Sequence, residues 1–250
     1  MAINFMFIIQ TEHGVNCMNK GDKNMKKLLA FTLTELLLAL TIVGVLAVLT
    51  VPILMNNIHN RMFAAQVKNM AATIEQLAQD QLITHRTRDL WDTDFGDTNK
   101  LLTNKHFSIS KICNTSTDAK LNCWKTTATG NDKLTYKNLN KNNLDLQYIY
   151  RTAILKNGIM ISYKELGTAF PTAKAAGAVG VINIDVNGNE KPNIGGRDIF
   201  LFFIDKKGHI KDISLEATNE YTLSQKITKC KSNYQWCYGA LADNGWKMDY

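Results

Sequence analysis

The chain has 250 residues, 45% of them hydrophobic and 20% charged, with a formal net charge of +7. This is a normal globular mix beside one long apolar span, and the charge is too mild to demand nucleic acid or an acidic surface as a partner. Catalysis finds no support, because the sequence lacks a Gly-rich phosphate loop, a Gly-x-Ser-x-Gly elbow and a His-Glu-x-x-His pair. Its five histidines (His13, His59, His85, His106 and His209) are scattered, and the expectation is a protein that is not an enzyme.

Residues 1–24 contain an apolar patch, Ile3 to Ile9, that is too short to cross a bilayer. Met1, Met18 and Met25 are alternative starts, and Met25-Lys26-Lys27 reads as the best of them. Lys26 and Lys27 precede Leu28-Leu29-Ala30-Phe31-Thr32-Leu33-Thr34-Glu35, which continues into apolar sequence as far as Val51. The 21 residues from Phe31 to Val51 rise roughly 30 Å as a helix, one hydrocarbon core. The two lysines predict a cytoplasmic amino end and an extracytoplasmic remainder. A secretory signal carries its small-residue cleavage site after the apolar core, but here Ala30 stands before it. Glu35 is the single charge in the span. A carboxylate there costs about 2.5–3.5 kcal/mol on insertion scales, so it either reaches the headgroups or needs a cationic partner.

Residues 26–35 resemble the cleavage and methylation signal of type IV prepilins and type II secretion pseudopilins, read as small residue, then Phe-Thr-Leu-x-Glu-Leu. The resemblance is specific over about residues 25–55 and generic in layout beyond. It departs from the usual pattern in having Ala30 where glycine is common. It implies cleavage after Ala30 by a prepilin peptidase, N-methylation of Phe31, and extraction from the inner membrane by an assembly machinery. It also implies that Glu35 of one subunit neutralises the new Phe31 amine of its neighbour, and that Pro52 matches the proline that kinks or locally melts pilin helices. The implied fold is α+β: a long amino-terminal helix packed on an antiparallel sheet with disulfide-stapled loops. The implied divisions are a leader over 1–30, a membrane helix over 31–52, its amphipathic continuation over 53–90 and a head over 91–250. Implied partners are other pilin or pseudopilin subunits, the peptidase, the assembly machinery and membrane lipid. The implied location is the bacterial inner membrane, then a filament in the periplasm or at the cell surface.

Beyond Pro52 the helix is expected to resume. Phe63, Val67, Met70, Ile74 and Leu77 recur at helical spacing and form a stripe that packs on the sheet, fading near His85 to Asp89. Residues 91–143, rich in Asn, Lys, Thr and Asp, read as a long connection with short helices or turns. Strands are expected over Leu146 to Leu155, Ile159 to Tyr163, Val179 to Val186, Ile199 to Asp205 and His209 to Ser214. Lys156-Asn157-Gly158 and Lys206-Lys207-Gly208 give hairpin turns, and Phe170 to Gly180 an irregular excursion.

Removal of residues 1–30 takes Cys17 away and leaves Cys113, Cys123, Cys230 and Cys237. Their spacing does not suit zinc, and four cysteines in an exported chain predict two disulfides. Three pairings are open. The local ones, Cys113–Cys123 and Cys230–Cys237, are favoured because each staples a loop with little apolar sequence.

In Asp185-Val186-Asn187-Gly188-Asn189-Glu190-Lys191-Pro192-Asn193, followed by Gly195-Gly196-Arg197-Asp198, oxygen-bearing side chains alternate around a glycine turn. Asp185, Asn187, Asn189 and Asp198 are candidate calcium ligands. Lys191 and Arg197 oppose a cation, and the same residues also suit a plain inter-strand turn. The tail aromatics Tyr234, Trp236, Tyr238, Trp246 and Tyr250, with Lys231 and Lys247, form a local core by expectation; nucleic acid is not expected as a partner. Two functional classes stay open: a pseudopilin-like or minor-pilin-like filament subunit, with turns closer to the type II secretion style, or a membrane-tethered module that captures substrate or DNA without polymerising.

Overall fold

A computed structural model describes residues 32–166, 176–216 and 220–250. The chain divides into residues 1–50 and 51–250. In the first part, the described residues from Leu33 onward are helical and exposed. They belong to α1 (Leu33–His85), a helix of 53 residues whose most apolar stretch has a mean hydropathy of 2.7 over 18 residues, long and apolar enough to cross a membrane.

Pro52 lies inside α1, which is continuous across it. Of the two effects the resemblance implies here, a kink or local melting, the unbroken helix speaks against melting: proline withholds only one N–H from the ladder.

The second part is α+β. Among the described residues six strands, β1 (Ile109–Cys113), β2 (Thr152–Leu155), β3 (Met160–Glu165), β4 (Ala178–Asp185), β5 (Ile199–Asp205) and β6 (Ile210–Lys211), form one sheet in sequence order. Every neighbouring pair is antiparallel. All of β4 is buried, as is β5 up to Ile204, which accounts for their unbroken apolar runs: both faces of the central strands are covered. The stripe on α1 supplies one cover. Phe63, Val67, Met70 and Ile74 are buried in the same cluster as the sheet, Leu77 packs against it, and Ala64, Ala71 and Ala78 fill the close-approach positions between them. Polar contacts fix the contact of this helix face with the last hairpin. Gln79 Nε2 donates to the Lys207 carbonyl at 2.7 Å, and the Ile210 N–H donates to Glu75 Oε1 at 2.8 Å.

Several expectations change here. Residues 91–143 are not only a connection, since they contribute β1 as an edge strand next to β2. The strand expected from Leu146 begins only at Thr152. Tyr148 has φ of +58°, outside the extended range, and the Gln147 carbonyl turns inward to accept from Asn183 Nδ2 at 2.8 Å and from the Tyr234 hydroxyl at 2.9 Å. The strand expected to Ser214 stops at Lys211 and gives way to a short 3-10 turn, Ile213–Glu216. Most of the excursion from Phe170 to Gly180 lies outside the described residues. The tail, read from sequence only as aromatics and cysteines, holds two helices, α2 (Leu223–Ser232) and α3 (Cys237–Asp243).

Candidate functional site

Ala30 and Phe31 lie outside the described residues. Thr32 opens α1 as its cap. Its Oγ1 accepts from the Glu35 N–H at 3.2 Å, while Glu35 Oε2 accepts from the Thr32 N–H and hydroxyl, both at 2.8 Å. This is a reciprocal capping box, formed by Thr-Leu-Thr-Glu at the spacing such a box requires. Among the described residues the Glu35 carboxylate thus has local hydrogen-bond donors and no ion-pair partner.

The cysteines are joined as Cys113–Cys123 and Cys230–Cys237. The first bridge ties the end of β1 to the helical turn Ala119–Cys123. Beside it, buried Trp124 donates its indole N–H to Thr152 Oγ1 at 3.0 Å. The second bridge joins the end region of α2 to the start of α3. It also bears on the loop between β4 and β5: Gly196 has φ of +89°, and a Cβ there would lie 2.7 Å from Cys237 Sγ. Only glycine lets the loop pass so close to the sulfur in that conformation.

That loop carries the most distinctive chemistry among the described residues. Asp185 closes β4, paired with Met160 on one side and Ile199 on the other, and Asp198 immediately precedes β5. Both aspartates are fully buried. Asp198 accepts backbone N–H groups from Asn193 and Ile194, each at 2.7 Å, and the Val186 N–H donates to its carbonyl at 2.9 Å. Asp185 Oδ1 accepts the Asn187 N–H at 3.2 Å, an Asx turn. Burial pushes the Asp198 carboxyl up to about 6 despite those donors. Asp185 is pushed well above the carboxylate range, first by burial and then by the charge of Asp198.

In the same loop, four side-chain oxygens are buried without a hydrogen-bond partner among the described residues: Asp185 Oδ2, Asn187 Oδ1, Asn189 Oδ1 and Asn193 Oδ1. The Asn187 amide has turned its nitrogen to the carbonyls of Glu190 and Lys191, at 3.1 and 2.9 Å, so its oxygen is the end left over. Buried acceptors without donors are costly, and four in one loop beside two repelling acids call for something positive. The donor set is all oxygen, carboxylate and amide, which suits a hard cation and calcium in particular. Among the described residues no three His, Cys, Asp or Glu side chains gather as a metal cluster. The loop offers two carboxylates and the side-chain amides of Asn187, Asn189 and Asn193.

Of the two cations that argued against such a site, one is held elsewhere and the other is exposed. Arg197 donates Nη1 and Nη2 to the carbonyls of Met248 and Tyr250, both at 2.9 Å, and lies over the Tyr250 ring. Lys191 is exposed. Sequence reasoning selected Asp185, Asn187, Asn189 and Asp198 and passed over Asn193 as a ligand. The signal for it was Pro192-Asn193 before two glycines: Asn193 takes φ of +54°, a conformation asparagine tolerates better than most residues. The tail aromatics do not form an open stacking surface. Tyr234 and Tyr238 are buried, and Trp236, Trp246 and Tyr250 pack against the core. Compared with known proteins, the chain matches no family model, no curated protein and no solved structure.

Proposed function

We propose that this chain is a structural subunit of a filament resembling the type II secretion pseudopilus or a type IV pilus, cleaved after Ala30 and assembled through α1. The observation that carries the reading is the first part of α1, where, among the described residues, an apolar helical surface lies exposed and holds one acid without an ion-pair partner. Lipid covers such a surface before assembly, and copies of the same helix cover it afterwards. Cleavage after Ala30 creates an ammonium on Phe31, four residues from Glu35. In a low dielectric an approaching copy whose amine meets Glu35 is favoured over one that does not, which fixes register. The test is Glu35→Val in the native host. Processing and membrane insertion continue, and co-assembly with tagged wild-type copies is lost; normal assembly of the variant refutes the reading.

The capping box favours one other reading, a tethered module that never polymerises, because Thr32 gives Glu35 a use within its own helix. Glu35→Gln separates the two. It retains an acceptor for the Thr32 N–H, so a mere anchor tolerates it, whereas a charge-paired filament does not.

The loop between β4 and β5 would hold one calcium ion, with Asp185, Asn187, Asn189, Asn193 and Asp198 supplying oxygens. What the ion supplies is charge: it neutralises two buried carboxylates and occupies four acceptors that nothing else satisfies. The loop residues then stand as a rigid turn beside the Cys230–Cys237 bridge. Isothermal titration of calcium into the full chain, with Asp185→Ala as the comparison, tests this assignment.

A further inference from the structure

The loop between β4 and β5 lies against the second disulfide at two consecutive residues, all of it within the second part of the chain. A Cβ on Gly195 would stand 2.4 Å from the Cβ of Tyr234, and one on Gly196 would stand 2.7 Å from Cys237 Sγ and 3.1 Å from Cys230 Sγ. Tyr234 belongs to the segment that the bridge closes, and it is buried, as are both cysteines. The loop backbone therefore rests directly on the bridged segment, with no room for a side chain between them. A strip of chain from Lys137 to Asn140 stitches the two together. On the loop side, the Lys137 N–H donates to the Asn193 carbonyl at 3.0 Å, and the Gly195 N–H donates to the Lys137 carbonyl at 2.9 Å. On the bridge side, the Asn140 N–H donates to the Lys231 carbonyl and Asn138 Nδ2 to the Ser232 carbonyl, both at 3.2 Å.

These contacts fall among the calcium ligands. Asn193 offers one of the four buried side-chain oxygens without a donor among the described residues, and its carbonyl is the one held by Lys137. Asp198 accepts the N–H groups of Asn193 and Ile194, which ties its carboxylate to the backbone that carries the two glycines. Gly196 closes the turn by donating its N–H to the Ile199 carbonyl at 2.9 Å. A displacement of the sulfur wall is thus felt at Asn193 and Asp198 together.

The chemistry of the loop sets the direction of the coupling. Without a cation, four unsatisfied oxygens and two buried acids favour an open loop whose oxygens reach water. The bridge opposes that opening, because it holds Tyr234 and the facing ends of α2 and α3 against the glycines. Once the bridge is broken, fewer chains keep the loop closed before the ion arrives, and the apparent affinity falls with that fraction. By linkage, the bound ion favours the bridged state by the same factor.

We propose that the thiol–disulfide state of Cys230 and Cys237 controls calcium binding: the bridged chain holds the ion, and the dithiol chain holds it weakly. The reductant is a dithiol, which closes to its own disulfide while the protein Sγ–Sγ bond takes up two electrons and two protons to become two thiols. This control rests on the calcium assignment above. The Cys113–Cys123 bridge, on edge strand β1 three strands from β4, is the internal comparison. Calcium is titrated calorimetrically into the full chain in detergent as wild type, C230S/C237S and C113S/C123S. C230S/C237S should bind about 5–150-fold more weakly, and C113S/C123S should bind as wild type does. In wild type, dithiothreitol buffers of graded oxidised-to-reduced ratio, then thiol alkylation and peptide mass mapping, read each bridge separately. Saturating calcium should shift the midpoint of Cys230–Cys237 toward the disulfide by the same factor and leave that of Cys113–Cys123 in place. This second measurement needs no substitution, so it decides the matter even where C230S/C237S fails to fold. Equal calcium affinity in wild type and folded C230S/C237S, equal weakening by both double variants, or a Cys230–Cys237 midpoint indifferent to calcium overturns the proposal. Wild type that takes up no calcium refutes the calcium assignment itself.

Discussion

The buried pair Asp185 and Asp198 gives the metal-free head an inverted dependence on pH. Asp198 has its carboxyl raised to about 6 in the folded chain, against about 3.9 when unfolded. Between those values the folded state holds a proton that the unfolded state has lost, so stability falls as pH rises through the interval. Two units of difference amount to about 3 kcal/mol lost between pH 4 and pH 7, and raised Asp185 acts in the same direction. For a head of this size, about 3 kcal/mol is a drop of roughly 6–12 °C in Tm. A bound cation removes the penalty and adds its own binding free energy, about 4 kcal/mol when present at a thousandfold excess over Kd. The assay is thermal unfolding of the full chain in detergent at pH 5 and pH 7, in chelator and in calcium, for wild type and Asp185→Asn. Wild type in chelator should melt lower at pH 7 than at pH 5, and calcium should reverse the order. Asp185→Asn removes the contribution of that acid and leaves Asp198 buried, so it should reduce the pH dependence in chelator without eliminating it, and should abolish the response to calcium. A wild-type Tm that rises from pH 5 to pH 7 in chelator and ignores calcium would refute the reasoning.

Other substitutions probe the supports of the site. Gly196→Ala forces a Cβ against the Cys237 sulfur at a positive φ and should cost about 1–3 kcal/mol in chemical denaturation, with a larger loss of calcium response than of β-sheet signal. Phe202→Ala empties a fully buried position at the centre of β5 and should cost about 3–5 kcal/mol. Replacing Cys113 and Cys123 by serine should cost about 2–4 kcal/mol in denaturant, because the bridge closes a short loop at an edge strand. Thr32→Val removes the side-chain acceptor of the capping box and should lower helicity at the start of α1, by about 1 kcal/mol in local stability measured by amide exchange.

Much of the architecture was written in residue spacing. The apolar run from Leu33, the four-and-three stripe from Phe63 to Ile74, and the unbroken β4 and β5 each carry a period that one burial pattern explains. The turns at Gly158 and Gly208 fall where the hairpins are. Elements at the margins were harder to read. β1, Ile-Ser-Lys-Ile-Cys, is an edge strand with only Cys113 fully buried, so its pattern resembles a loop. Within α2, Lys226 and Cys230 are the buried residues, so its apolar stripe is weak. The informative feature was its cap, Thr222 with Gln225 three residues later, a capping box in both sequence and structure. For the loop before β5, the residue types were legible but their state was not. Whether the Asn187 and Asn189 side-chain oxygens face water or the interior is set by the folded loop and not by residue type. That burial turns an ordinary Asx turn into four acceptors without donors.

The exposed apolar helix and its one acid rest on what happens at residue 31. Intact-mass and amino-terminal sequencing of the chain recovered from native membranes reads this directly. The account predicts a mature chain beginning at Phe31 and carrying an N-methyl group. A chain that retains the residues before Phe31, or that begins beyond Val51, contradicts it.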